Sequence, residues 1–231
     1  MSKVLITGHK GFIGKHLYNA WKDIHEVDCF GRGDKLPNKD YDLVFHLAGL
    51  SGVRSSWKKP WRYFKDNVLL SRKIFKKYKR VIYTSSSAVK EPWRSPYALT
   101  RYLVERIAPR NSLGIRLTTV YGPNGRKNML ISKILDNKLS YVNVDCVRDF
   151  IHIYDVLRFF NIVMNYRLER IIELGTGIST PIVDLIDSKT TKKYSPFYEV
   201  KTDKVNIEKA RSLGFRHHYD IKEFIREHNK T

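Results

Sequence analysis

The sequence predicts an α/β chain, a doubly wound parallel sheet with a small C-terminal domain, and three stretches predict it. The first is Lys3-Val-Leu-Ile-Thr7, a short apolar run that ends in Gly8-His-Lys-Gly11-Phe-Ile-Gly14 and passes into a helical pattern through Leu17, Ala20 and Trp21. The second is the series of later strand-like runs at 25–30, 42–48, 80–83, 114–120 and 171–174, with helical patterns between several of them. In the third, Arg80-Val-Ile-Tyr83 feeds Thr84 and the serines Ser85, Ser86 and Ser87, and Ser95-Pro96 then precedes Tyr97-Ala-Leu-Thr-Arg101-Tyr-Leu-Val-Glu105. A strand therefore ends at hydroxyls and a helix begins at a tyrosine.

Composition bounds the rest. With 231 residues, 42% of them hydrophobic, the chain is long enough to bury a sizeable core. No apolar run approaches the roughly 20 residues of a membrane span, and the first residues read as a strand rather than a secretion signal, so the expectation is a cytoplasmic protein with no membrane partner. Cys29 and Cys146 lie far apart, which fits a reducing compartment and argues against a structural metal. The formal charge is +20, from 43 basic and 23 acidic residues. Its densest run lies at 72–80, where Leu70, Ile74 and Tyr78 form an apolar helix face and leave the lysines on the solvated side. That pattern reads as a basic face rather than a nucleic-acid groove, and its field attracts small anions.

The glycine turn between strand and helix suits a pyrophosphate, because glycine lets backbone approach the phosphates and the helix start offers free amides. Gly8, Lys10, Gly11, Phe12, Ile13 and Gly14 are the candidate contacts. The second strand ends in Gly31-Arg-Gly-Asp34. An acid there binds adenosine ribose hydroxyls and an arginine accommodates a 2′-phosphate. Arg32 favours NADP over NAD, while Asp34 can still reach the ribose. Residues 31–42 are too few for the helix and strand of a full doubly wound unit, so the fold is expected to be pruned there, with Asp34 to Leu36 covering the adenine. Small residues at Ala48 and Gly49, after Leu47, let a dinucleotide lie against the third strand's end.

On the later helix, Tyr97 and Arg101 are four apart and share a face. The fixed charge favours the phenolate, so Tyr97 is a candidate acid/base, with a strand-end serine to hold a substrate oxygen. Serine, then Tyr-x-x-x-Lys, is the pattern of the short-chain dehydrogenases, with Arg101 here in the lysine's place. Thr7-Gly-x-x-Gly-x-x-Gly14, His46-Leu-Ala-Gly49, Gly52-Val-Arg54, Tyr121-Gly-Pro123 and Arg148-Asp-Phe-Ile-His-Ile-Tyr-Asp155 resemble segments of that family's extended, nucleotide-sugar branch, nearly end to end.

The resemblance implies a Rossmann domain over 1–121 and about 148–170, and a substrate domain over about 122–147 and 171–231. It implies Tyr97 as acid/base and Ser87 as the serine, with Ser86 and Ser85 competing for that role. Arg101 is expected on the nicotinamide ribose, and Arg54, Ser87, Thr119 and Arg148 on a nucleotide-diphosphate sugar. Thr119 stands where the family commonly has asparagine. Asn67 is expected near the active-site backbone, in a helix over 63–78, and His46 is expected to pack at its strand end without catalytic duty. The absence of an Asp-Glu pair after Ser87 argues against a dehydratase, which leaves an epimerase or a 4-keto reductase. Arginine for lysine also leaves open a dinucleotide-binding sensor or partner subunit with little activity. A homodimer through helices near 63–78 and 97–108 is expected.

Overall fold

A computed structural model describes residues 1–166, 170–186, 190–196 and 198–228. The chain forms two compact units, Met1–Arg116 with Val163–Ile172, and Leu117–Ile162 with Glu173–Thr231. Residues 117–121 and 148–162, expected with the first unit, lie in the second, and residues 171–172, expected with the second, lie in the first.

The first unit opens with β1 (Lys3–Thr7), α1 (Phe12–Trp21), β2 (Glu26–Phe30) and β3 (Leu43–His46). A helical run follows, made of α2 (Val53–Lys58), α3 (Pro60–Tyr63), a π-helical turn (Phe64–Leu69) and α4 (Leu70–Lys77). Then come β4 (Val81–Ser86), 3-10 turns at Ser87–Lys90 and Pro92–Arg94, α5 (Pro96–Ile107) and β5 (Leu113–Leu117). In the second unit are β6 (Thr119–Tyr121), α6 (Leu130–Leu135), β7 (Tyr141–Asn143), β8 (Val147–Arg148) and β9 (Phe150–His152). Helix α7 (Ile153–Met164) and β10 (Ile171–Leu174) straddle the division, and β11 (Thr180–Pro181), β12 (Thr191–Lys193), α8 (Glu208–Ser212) and α9 (Ile221–His228) complete the chain.

The central sheet has six strands in the order β10-β5-β4-β3-β1-β2. Its register sets Leu5 against Asp28 on one side and Val44 on the other, and Phe45 against Ile82, all in parallel pairs. Strands covered on both faces carry near-continuous apolar runs, and Val4, Leu5, Ile6, Val44 and Phe45 are indeed fully buried. As expected, residues 31–42 hold neither helix nor strand, so β2 is the sheet's edge. The shortened crossover is fastened back: Tyr41 Oη donates to Asp28 at 2.6 Å, and Tyr78 Oη to the Pro37 carbonyl at 2.8 Å. The order reverses between β1 and β3, and the crevice beyond their carboxyl ends is where doubly wound folds take ligands.

The expected helix over 63–78 is observed from Pro60, with a π turn inserted in it. Ile74 and Tyr78 are buried and Leu70 packs beside them, as the spacing predicts. Helix α9 is an addition to the reading of the sequence; Ile221, Phe224 and Ile225 pack there against Tyr121 and Phe150. Among the described residues no helix is long and apolar enough to cross a membrane.

Candidate functional site

The site is built on the carboxyl ends of β1, β3 and β4. Gly8 leaves β1 with φ +76° and donates its N–H to the Phe30 carbonyl at 2.8 Å, which ties the glycine turn to β2. A Cβ at Gly8 would lie 2.7 Å from the Ala48 backbone, so only glycine lets the two strand ends approach this closely. Gly11 precedes α1 in extended geometry, and no side chain caps that helix. Its first amides are left for a ligand. Between this turn and the helical run lies a groove of about 430 Å³. Gly8, Gly11 and residues 30–34 line one wall, Leu47, Ala48 and Gly49 the floor, and Lys65, Asp66 and Lys73 the other wall.

Of the remaining cofactor candidates, Lys10 lies in the turn, and Phe12, Ile13 and Gly14 begin α1. Leu36 packs against the core cluster of Val44, Phe75 and Tyr78, outside the groove. Asp34 lines the groove but turns a carboxylate oxygen back onto the Gly31 N–H at 2.7 Å. Arg32 faces Asp66, with Nη2 to Oδ2 at 3.3 Å.

The strand-end hydroxyls sort themselves by partner. Ser85 Oγ donates to Glu105 at 2.6 Å, and Glu105 also receives Arg116 through Nε at 2.9 Å and Nη2 at 2.7 Å. Ser85 is thereby committed to a structural ion pair. Ser86 Oγ accepts from the Ala88 N–H at 3.3 Å and caps the following turn. Ser87 is buried, and no described residue hydrogen-bonds its hydroxyl.

Ser95 caps α5 by accepting from the Ala98 N–H at 3.1 Å, and Pro96 sits at the first helical position. Serine and proline at these two positions are strong helix starters, and they set Tyr97 in the first turn. Tyr97 is half-buried, with the Tyr63 ring edge-on at 6.3 Å and no described partner for its hydroxyl. Arg101 follows one turn later, with its Cζ 5.6 Å from the Tyr97 ring centre.

Arg101 is buried, and its Nη1 donates to the Thr84 carbonyl at 3.1 Å while Nη2 lies 3.5 Å from that of Leu50. Its Nε has no described partner. The guanidinium thus bridges the ends of β4 and β3, which a single ammonium cannot do equally well. A Cβ at Gly49 would lie 2.9 Å from Arg101 Nη2 and 2.8 Å from Asn67 Oδ1, so this glycine makes the room that the larger cation occupies.

Asn67, on the π turn and fully buried, holds the same loop. It accepts from the Leu50 N–H at 2.7 Å and donates to Thr100 Oγ1 at 3.0 Å. His46 is buried between Thr7 Oγ1 at 2.7 Å and Ser71 Oγ at 2.8 Å. Burial, and then the Arg101 charge, push its imidazole down to about 3, so it is neutral. It is a pin between β1, β3 and α4.

Arg54 lies on α2. The other substrate candidates belong to the second unit. Thr119 Oγ1 donates to Asp203 at 2.8 Å, and Asp203 also accepts the Asp149 N–H at 2.6 Å. Asp149 in turn receives the Thr176 N–H and hydroxyl and the Gly177 N–H, all at 2.8 Å. Arg148 donates to Glu199 at 3.2 Å and to the Val147 carbonyl at 2.9 Å. Asp203 and Glu199 were not found from the sequence, because their partners lie some fifty residues away and no local pattern announces them.

The protein-family model described as the NAD dependent epimerase/dehydratase family matches residues 24–175. A putative UDP-glucose 4-epimerase of Methanocaldococcus jannaschii is 29% identical over 96% of this chain and 86% of its own length. A UDP-glucose 4-epimerase of Yersinia enterocolitica is 25% identical over 84% of each chain. Among solved structures, MoeE5 in complex with UDP-glucuronic acid and NAD superposes with a TM-score of 0.85 and 26% identity, covering 99% of both chains.

Proposed function

Because the chain belongs to the NAD dependent epimerase/dehydratase family, we propose that it modifies a nucleotide-diphosphate sugar as an epimerase or 4-keto reductase, with a nicotinamide dinucleotide in the groove beside Gly8. The observation that carries this reading is the pair of free hydroxyls. Ser85 and Thr100 donate their hydroxyl hydrogens within the protein and Ser86 accepts a backbone bond, whereas the Ser87 and Tyr97 hydroxyls make no described hydrogen bond and are kept for a ligand, next to a permanent cation.

The glycine turn fits the dinucleotide, since Gly8 lets the ends of β1 and β3 close up beside the groove and the start of α1 offers uncapped amides. Gly8, Gly11, Ala48 and Gly49 hold it, and when bound it supplies hydride acceptance and return. Ser87 donates to the reacting sugar oxygen and fixes its position. Tyr97 takes the proton of that hydroxyl and gives it back. Arg101 cannot relay a proton, because guanidinium stays charged at any physiological pH. It stabilises the phenolate from one side and holds the β3 and β4 ends at a fixed separation. Arg148 serves the nucleotide diphosphate, for which a planar fork of donors is suited, and exchanges Glu199 for phosphate on binding, while Thr119, whose one hydrogen goes to Asp203, does not donate to it.

MoeE5 holds a UDP-sugar, and a UDP-hexose is accordingly the first substrate class to offer. An epimerase gives the 4-epimer with no net change in nicotinamide absorbance, whereas a reductase consumes reduced cofactor in step with product. A second reading, a dinucleotide-binding subunit with little activity, draws support from the Arg101 contacts to two backbone carbonyls. It predicts dinucleotide binding without turnover of any nucleotide sugar.

A homodimer accompanies the enzyme reading. Trp57, Trp61, Trp93 and Leu99 are exposed on one apolar groove formed by α2, α3, the Pro92–Arg94 turn and α5, upstream of most of the 63–78 helix expected from the sequence, with Trp61 and Trp93 at 70% and 71%. An exposed apolar patch of this kind marks an interaction surface. Sedimentation at rising concentration tests the pairing, and a strictly monomeric chain overturns it.

A further inference from the structure

The groove has an unusual source for its acid. In doubly wound dinucleotide folds the carboxylate that accepts the adenosine ribose hydroxyls stands at the end of the second strand. Here β2 ends at Phe30 and Gly31-Arg32 follow, and the next acid, Asp34, is held to its own loop by Oδ2, which accepts the Gly31 N–H. The shortened crossover adds no further element on that side, so the opposite wall comes from the π turn and α4. That wall delivers Asp66.

Asp66 lines the groove across from Gly31 and Arg32. Both of its ion pairs use Oδ2, with Arg32 Nη2 at 3.3 Å and Arg62 Nε at 3.7 Å. Oδ1 has no partner among the described residues. A free carboxylate oxygen accepts a ribose hydroxyl and repels a phosphate. The remaining charges of the groove are Arg32, Lys65, Lys73 and Asp34. Without Asp66, three cations would face one carboxylate, a field suited to the extra phosphate of NADP. Arg32, the residue that from sequence favours NADP, is instead the counter-ion of Asp66.

We propose that Asp66 selects NAD over NADP, supplied from the wall opposite the usual position. The proposal rests on the reading of the groove as a nicotinamide dinucleotide site. The test is calorimetric titration of NAD and NADP, at one fixed salt concentration, into wild type, Asp66→Asn, Asp66→Ser and Asp66→Asn/Arg32→Gln. Wild type is expected to bind NAD at least tenfold more tightly than NADP. Either Asp66 substitution shifts that ratio at least tenfold towards NADP, and adding Arg32→Gln reverses part of the gain. Circular dichroism verifies that each variant is folded, and two different substitutions keep the outcome independent of one failing to fold. A wild-type preference for NADP, or a ratio unchanged in both Asp66 variants, overturns the selectivity while leaving the groove assignment standing. Failure of wild type to bind either dinucleotide overturns the groove assignment, and the selectivity with it.

Discussion

His46 offers a prediction that can be worked through in numbers. Ser71 Oγ donates to the Asn67 carbonyl at 2.6 Å, which uses its one hydrogen, so towards His46 it can only accept. Nε2 therefore carries the imidazole proton, and Nδ1 accepts from Thr7 Oγ1, which itself accepts the Ala48 N–H at 3.2 Å. Every valence in the chain is satisfied by a neutral ring. Protonation would put a second charge beside Arg101 in a fully buried position, which is why burial first and Arg101 second hold the group near 3 rather than 6.5.

The unfolded chain has no such restraint and takes up the proton as pH falls through about 6.5. Between about 3 and 6.5 the unfolded state binds one more proton than the native state, so stability is lost as pH falls through that window, by about 1.4 kcal/mol per unit. From about pH 7 to about pH 5 the single-site loss is about 2 kcal/mol. The assay is denaturant unfolding of wild type and His46→Gln at both pH values. Glutamine keeps a donor in reach of Ser71 and does not titrate. It is less stable than wild type at about pH 7, and the gap narrows by about 2 kcal/mol at about pH 5. Asp203, whose carboxyl is raised by burial, titrates in both proteins and cancels in the difference. Parallel pH profiles for the two proteins would refute the buried neutral imidazole.

Two further substitutions probe the frame of the site. Arg101→Lys keeps the charge but not both carbonyl anchors, and about 1 to 2 kcal/mol of stability is expected to go in denaturant unfolding; an unchanged midpoint would show that the contacts to Thr84 and Leu50 contribute nothing. Gly8→Ala puts a Cβ 2.7 Å from the Ala48 backbone at a positive φ, so it is expected to lower dinucleotide affinity at least tenfold and to lower the melting temperature; normal binding would remove the turn from the site.

Much of the first unit was legible because its signals are local. The glycine turn, the missing crossover and the Ser95-Pro96 helix start each rest on residues within a few positions of one another. The resemblance put Ser87 ahead of Ser86 and Ser85, but the partners that distinguish the three, Glu105 for Ser85 and the Ala88 N–H for Ser86, were not legible. The partner of Arg32 was not legible for a similar reason. Asp66 lies 34 residues on, in the π turn of the helical run. In the second unit, Arg148 and Thr119 were found by pattern, but the carboxylates that hold them come from a segment whose sequence announces no motif.

The central claim is that Tyr97 and Ser87 perform proton chemistry on a nucleotide sugar. Wild type and Tyr97→Phe are each incubated with dinucleotide and a panel of UDP-hexoses, and products are resolved by NMR while dinucleotide affinity is measured separately. The account predicts a 4-epimer or a reduced sugar from wild type, a loss of roughly 10² to 10⁴-fold in rate for Tyr97→Phe, and equal dinucleotide affinity in both. Turnover by Tyr97→Phe at the wild-type rate, or dinucleotide binding by wild type with no product from any sugar, would contradict it.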